Sequence, residues 1–364
     1  MTELIPAFDW QQHVVAPWSS GLRPTLWIVL MGFFVATACG LIGNYLILRR
    51  MALVGDAISH SVLAGIGVVV ALPFLVEQLP ILNWIGLGNI SGQLTTTAMF
   101  VGALGAGVVT TLIIEVIHRY SRVKKDAAIG IAFTSLFAIG VILITVKSGD
   151  LHIDTDCVLY GEIIQIPVKP PRIEISPSFS GFIGKIPLFH VLLHGNELEL
   201  APSVVRMGIV AFAVAILVWL FYKELLVSSF DSGLASSLGI NATVVHYALM
   251  GLLSLVVVSA FESVGAILVV AMLILPGATA HLISARLPVI MWLSVIHAFL
   301  STLMGFHLAT WLDCSIAGAF VVAGVGLFLL AWLLGPHDGL LAKWILLRRL
   351  NMEESPVGKS GLSP

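Results

Sequence analysis

"RRMALVGDAISHSVLAGIGVVV", residues 49–70, begins with two arginines and continues as an apolar run that, extended to residue 77, is long enough to cross a bilayer. Asp56 and His60 stand inside its first two turns. A charged side chain within a spanning helix costs at least about 2.5 kcal/mol on insertion scales, which makes any such residue a candidate for function. The stretch therefore reads as a membrane helix that keeps one polar face away from lipid.

The rest of the chain fits that reading. Of 364 residues, 58% are hydrophobic and 10% charged, with a mean hydropathy of +1.03. A soluble domain carries about 25% charged residues, so this chain has too few charges to coat a water-facing surface. The net charge of -2 says little, because placement of charge matters in a bilayer and the total does not. Membrane lipid is an expected partner and nucleic acid is not.

Runs of about 20 apolar residues suffice to span the hydrocarbon. They occur at 25–48, 52–77, 95–117, 127–147, 204–223, 243–260, 262–285, 288–308 and 314–334. The segments 243–260 and 262–285 have almost no linker, so eight spans plus an irregular segment is the alternative to nine. The expected fold is all-α, a polytopic transmembrane helical bundle of eight or nine spans. Its divisions are an N-terminal extracytoplasmic segment (1–24), a first transmembrane half (25–147), an extracytoplasmic loop (148–203), a second transmembrane half (204–334) and a cytoplasmic tail (335–364). No cleavable signal peptide is evident in the first 24 residues, and the first span reads as retained.

Lysine and arginine set the orientation. With the N-terminus outside and nine spans, Arg49, Arg50, Arg119, Arg122, Lys124, Lys125, Lys223, Arg286, Lys343, Arg348, Arg349 and Lys359 fall on the cytoplasmic side, two thirds of the 18 basic residues. N-out and C-in is the expected arrangement. Prolines at 167, 170, 171, 177, 187 and 202 disfavour regular helix in the loop 148–203, which reads as a cap or docking segment. The three cysteines are scattered and offer no disulfide framework or metal clip.

At i, i+4 Asp56 and His60 share a helix face, with Ser59 close to it. Gly55, Ala57, Ser61, Ala64, Gly65 and Gly67 surround them, and small residues let helices pack closely. Carboxylate and neutral imidazole suit zinc, manganese or ferrous iron. The plainer alternative is a hydrogen-bonded pair that only locks two helices together. Glu262 sits at a junction between spans, where solvation or capping competes with a role in an ion path. His246, His281, His297 and His307 are spread over several spans and read first as helix–helix hydrogen bonders. Asp313 reads as the charge that starts the last helix, and Pro276-Gly277 as a kink. "VGKS" (357–360) is no phosphate loop, because Glu353 stands where the motif needs glycine, and "HGNELEL" (194–200) is not HExxH. The chain has no evident nucleotide or hydrolytic site of its own.

Between two spans lies "FYKELLVSSFDSGLASSLGINAT" (221–243), with a cytoplasmic loop at 223–242. It carries a Ser-Ser-Phe-Asp turn and a short helical pattern of Leu234, Ala235 and Leu238 that Gly239 would end. A short amphipathic helix across a cytoplasmic loop suits the groove of a soluble partner.

With "HIDTDCVLYGEI" (152–163), the apolar stretch 246–280 and the ending "GPHDGLL" (335–341), these segments give a resemblance. The chain resembles the integral membrane permeases of bacterial ABC importers for zinc, manganese and related divalent metals, with a type II-like importer fold. The middle segments are most similar to the manganese/zinc branch. The resemblance implies that Asp56 and His60 handle metal in the pathway, and that Phe230, Asp231 and Gly239 belong to the loop that contacts the ATPase. It further implies a homodimer or paired permease in the bacterial cytoplasmic membrane, cytoplasmic ATP-binding subunits and an extracytoplasmic metal-binding protein. The cargo would be manganese or zinc, with iron also allowed, and no cofactor would be bound permanently. About forty residues between Glu162 and the next span depart from the family pattern, leaving room for a separate role of His190 and His194. Two alternatives from other classes are a proton-coupled secondary metal transporter using Asp56, and a redox subunit whose histidines ligate haem or contact quinone.

Overall fold

The computed structural model describes residues 6–19, 21–78, 96–147, 172–174, 193–194, 197–199, 201–335, 339–340 and 343. Nine helices among them are long and apolar enough to cross a membrane. Four come first: α1 (Leu22–Leu48), α2 (Leu53–Gln78), α3 (Thr96–Tyr120) and α4 (Lys125–Lys147). Three short strands follow in the long loop: β1 (Arg172–Glu174), β2 (Leu193–His194) and β3 (Glu197–Glu199), an antiparallel sheet of order β1-β3-β2. This small sheet departs from the irregular loop expected from sequence. His190 lies outside the described residues. The second half contains α5 (Pro202–Leu220), α6 (Tyr222–Phe230), α7 (Ser232–Ser237), α8 (Ala242–Ile283), α9 (Leu287–Leu312) and α10 (Ile316–Leu334).

The choice between eight and nine spans turns on α8. Its 42 residues are helical except at Gly265 (φ 75°, ψ 170°), a conformation that glycine reaches at no steric cost. A Cβ built on Gly55 would meet the Leu273 side chain and lie 4.0 Å from Cδ1 of Leu253. Twenty residues of straight helix would separate those two leucines by about 30 Å, so the chain doubles back at Gly265. Two antiparallel arms result, each a span. The break is therefore at Gly265 and not at Pro276, which continues helical.

Helix α1 is the central post, packed against α5, α8 and α9, while α2 packs against α3, α4 and α8. Glycine permits the close approach of α1 and α8. A Cβ on Gly43 would run into the Leu273 carbonyl, and one on Gly277 would lie 2.7 Å from Ile47 and 2.8 Å from Asn44. In α4, a Cβ on Gly140 would stand 2.6–2.9 Å from the backbone of Leu63 and Ala64 in α2. Van der Waals packing through small residues is what holds helices together in lipid, where the hydrophobic effect gives no drive. Asn44 Nδ2 donates to Ser294 Oγ at 3.1 Å, a buried polar tie from α1 to α9.

Residues 6–19 lie against the far end of α9. The Trp18 indole N–H donates to His307 Nε2 (3.2 Å), and His307 Nδ1 lies 3.1 Å from the carbonyl of His13. Since Nε2 accepts, Nδ1 carries the proton and donates. The Trp311 indole N–H donates to the Pro6 carbonyl at 2.9 Å. The expectation that Asp313 starts the last helix is corrected: it ends α9 in the left-handed region (φ 48°), and Ser315 caps α10 by accepting from the Gly318 N–H. Asp tolerates that region because its short polar side chain can bond locally.

Candidate functional site

Asp56 and His60 meet as their spacing implies. His60 Nε2 lies 3.4 Å from Asp56 Oδ1, with the side chains 33% and 34% exposed. Asp56 is in the first turn of α2, so His60 stands only about 10 Å along the helix. On one side the imidazole meets two rings of α4, Phe133 at 5.7 Å and Phe137 at 5.9 Å. Ser59 does not join them: its buried hydroxyl donates to the Asp56 carbonyl at 2.8 Å. The chain thus presents one carboxylate and one imidazole on a half-open face. No cluster of three or more His, Cys, Asp or Glu occurs among the described residues. Glu262 lies in α8 three residues before the break at Gly265, and its side chain is outside the described residues.

The segment between α5 and α8 is more helical than its sequence suggests. Ser228, Ser229 and Phe230 are the last turn of α6 rather than a turn of their own. The corner is Asp231, whose carboxylate accepts from the N–H groups of Gly233 (2.8 Å) and Leu234 (3.1 Å) and so caps α7. Gly239 (φ 82°) ends α7 as expected. Its N–H donates to Ser236 and that of Ile240 to Ala235, the Schellman pattern. Leu234 and Leu238 between these two caps are 52% and 62% exposed and Phe230 just before them is 70% exposed, while Ala235 is fully buried. The result is a braced helix with an apolar outer face.

Sequence reasoning missed the polar cluster beneath it. Arg49, the C-cap of α1, donates from Nε to Ser229 Oγ (3.0 Å), from Nη2 to Ser228 Oγ (2.7 Å) and from Nη1 to His246 Nδ1 (3.3 Å). Both serine hydroxyls donate in turn to the Leu225 carbonyl. Because arginine only donates, His246 Nδ1 accepts and its proton sits on Nε2, 3.9 Å from Glu115 Oε2 of α3. Burial lowers the Arg49 pKa from its ordinary value. Arg49 lies about 180 positions from the serines in sequence, and no spacing signal links them. The one hint was an arginine at a helix end, where a cation meets unpaired carbonyls. His297 is a helix–helix bonder, its Nε2 lying 3.2 Å from the Gly324 carbonyl.

Relatives of known role share both the sequence and the architecture. The chain is 38% identical over 332 residues to the manganese transport system membrane protein MntD of Bacillus subtilis, covering 91% of this chain and 98% of that one. It is 36% identical to the zinc transport system membrane protein TroD of Treponema pallidum, over 90% of this chain and 79% of the relative. The structure of PsaBC from Streptococcus pneumoniae in complex with Fab superposes with a TM-score of 0.66 at 29% identity, covering 92% of this chain and all of that one. The ABC 3 transport family matches residues 23–170 and 186–335, which take in the Asp56–His60 pair, the braced α6–α7 segment and both arms of α8. The chain belongs to the ABC 3 transport family.

Proposed function

We propose that the chain is the permease subunit of an ABC importer that carries a divalent transition metal, manganese or zinc with iron also allowed, into the cytoplasm. The observation that carries this reading is the Asp56–His60 pair, a carboxylate and an imidazole 3.4 Å apart on a half-exposed face of a spanning helix. Oxygen and nitrogen donors of that kind suit all three metals. One protomer supplies two ligands, and a second copy facing it would supply four, the number that zinc usually takes. The pair then replaces part of the ion's hydration shell as it passes between protomers.

The braced segment α6–α7, with Phe230, Asp231 and Gly239, is the surface for the cytoplasmic ATP-binding subunit. Its exposed leucines form the kind of helix face that fits a groove. This puts the end of the bundle holding Arg49 and α7 in the cytoplasm and residues 6–19 outside, in keeping with the distribution of basic residues. An extracytoplasmic metal-binding protein would deliver the ion from that side. The redox alternative loses support from the commitments of His246 to Arg49 and of His297 to Gly324.

The test is ATP-dependent uptake of manganese and zinc by the complex in proteoliposomes, wild type against Asp56→Ala and His60→Ala. Uptake should fall at least about tenfold in each variant, as for loss of a metal-site group. Normal transport of both metals by both variants would remove the site assignment. Uptake that persists without ATP on a proton gradient would favour the secondary transporter.

A further inference from the structure

Three helices, α1, α6 and α8, converge on one arginine. Arg49 spends its three nitrogens on a single junction, bonding two serines of α6 and the histidine four residues into the first arm of α8. The serines pass the tie to the Leu225 carbonyl, so the guanidinium grips the backbone of α6 and not only its side chains. Helix α6 also rests on the bundle through buried Leu225, with Tyr222 and Leu226 packed against the same core.

The other side of the grip is stiff. Arg50 is left-handed (φ 54°), the N–H of Met51 donates to Leu46 at 2.8 Å, and that of Arg50 donates to Ile47 at 3.0 Å. This is a Schellman corner closed by a residue other than glycine, which costs on the order of 1 kcal/mol and persists where the surroundings dictate it. Met51 is buried beyond the corner and α2 begins at Leu53. Asp56 follows Arg49 by seven residues. The Lys125 ammonium donates to Met51 Sδ at 3.0 Å, and Lys125 opens α4, the helix whose Phe133 and Phe137 flank His60. Both walls of the metal pair therefore start at this junction.

We propose that Arg49 is the positioning residue that carries displacement of the docking helix α6 to the Asp56–His60 pair, through Ser228, Ser229 and the α1–α2 corner. The proposal rests on the permease reading above. Arg49 touches neither metal nor ATP. Its part is to make the tilt of α6 and the tilt of α2 one motion, so that a cycle of hydrolysis moves an ion.

The experiment measures, on the complex with its ATP-binding subunits in proteoliposomes, manganese uptake and ATP hydrolysis in parallel. The variants are Arg49→Gln, the double variant Ser228→Ala/Ser229→Ala, their combination, and Arg122→Gln, an exposed arginine between α3 and α4, as a charge control. The expected result is that ions moved per ATP fall about tenfold in Arg49→Gln, within the range by which contacts in a coupling network act. Hydrolysis and co-purification of the ATP-binding subunits stay near wild type. The serine pair should reproduce the loss, and the combination should add nothing, since the two changes cut one connection. Arg122→Gln should keep the wild-type ratio. The proposal is overturned if the ratio is unchanged, if hydrolysis falls with uptake, or if the losses add. Should Arg49→Gln fail to assemble, the serine pair decides alone: an uncoupled complex supports the strut and a coupled one removes it. Failure of the wild-type complex to take up metal on ATP would instead remove the permease reading itself.

Discussion

Asp231→Ala removes the acceptor of two backbone N–H groups, those of Gly233 and Leu234. Helix α7 has six residues, far below the length of about 12–15 at which an isolated helix is even marginal in water. Among its described residues only Ala235 is buried, so its order depends on the cap at Asp231 and the Schellman turn at Gly239. Loss of such a cap costs about 1 kcal/mol, which makes the frayed state roughly fivefold more populated. Hydrogen exchange on the intact complex should show the amides of Gly233 and Leu234 exchanging about fivefold faster. Metal uptake should fall by less than that factor, only as far as the formed fraction falls, if the ATP-binding subunit engages the formed helix. Asp231→Asn keeps the cap while discarding the charge, and should exchange and transport like wild type. Equal damage from Asn and Ala would refute the capping account and assign the effect to charge. Wild-type exchange in the Ala variant would refute the claim that the cap holds α7.

Three further outcomes follow from the geometry. Gly43→Val places side-chain carbons against the Leu273 carbonyl and should cost at least about 1–3 kcal/mol by overpacking, seen as a lower unfolding midpoint in detergent. Gly239→Ala meets no atom within 4 Å, so its cost is only that of φ 82°, about 1 kcal/mol; it should loosen the amide of Ile240 without lowering the global midpoint. Trp18→Phe keeps the ring and removes the donor to His307, a loss of about 1 kcal/mol that limited proteolysis should report as faster cleavage near residues 6–19.

The spans were legible because a helix in hydrocarbon must be apolar over about 20 residues, a signal that each segment carries alone. The Asp56–His60 pair was legible for a similar reason: both residues lie on one helix, and a spacing of four puts them on one face. Asp231 and Gly239 could be read because caps are local chemistry. What escaped notice depends on tertiary contact. His246 read as a solitary bonder because its partners, Arg49 and Glu115, come from α1 and α3. Asp313 misled because acidic residues favour helix starts, yet the chain needed a left-handed residue to leave α9 and used Ser315 for the start. The kink was expected at proline. In α8 the chain instead turns at a glycine, whose torsional freedom leaves no mark in hydropathy.

The turn at Gly265 gives α8 the mechanics of tweezers. Its two arms share an apex with no slack, so neither can slide along its axis without dragging the other. One arm starts beside α6, where His246 meets Arg49, and the other ends beside α9. Rotation about a single residue is the freedom left to the pair. A lever pressed at the tip of one arm therefore bears on the space in front of Gly55, which Leu253 and Leu273 flank, one residue from Asp56.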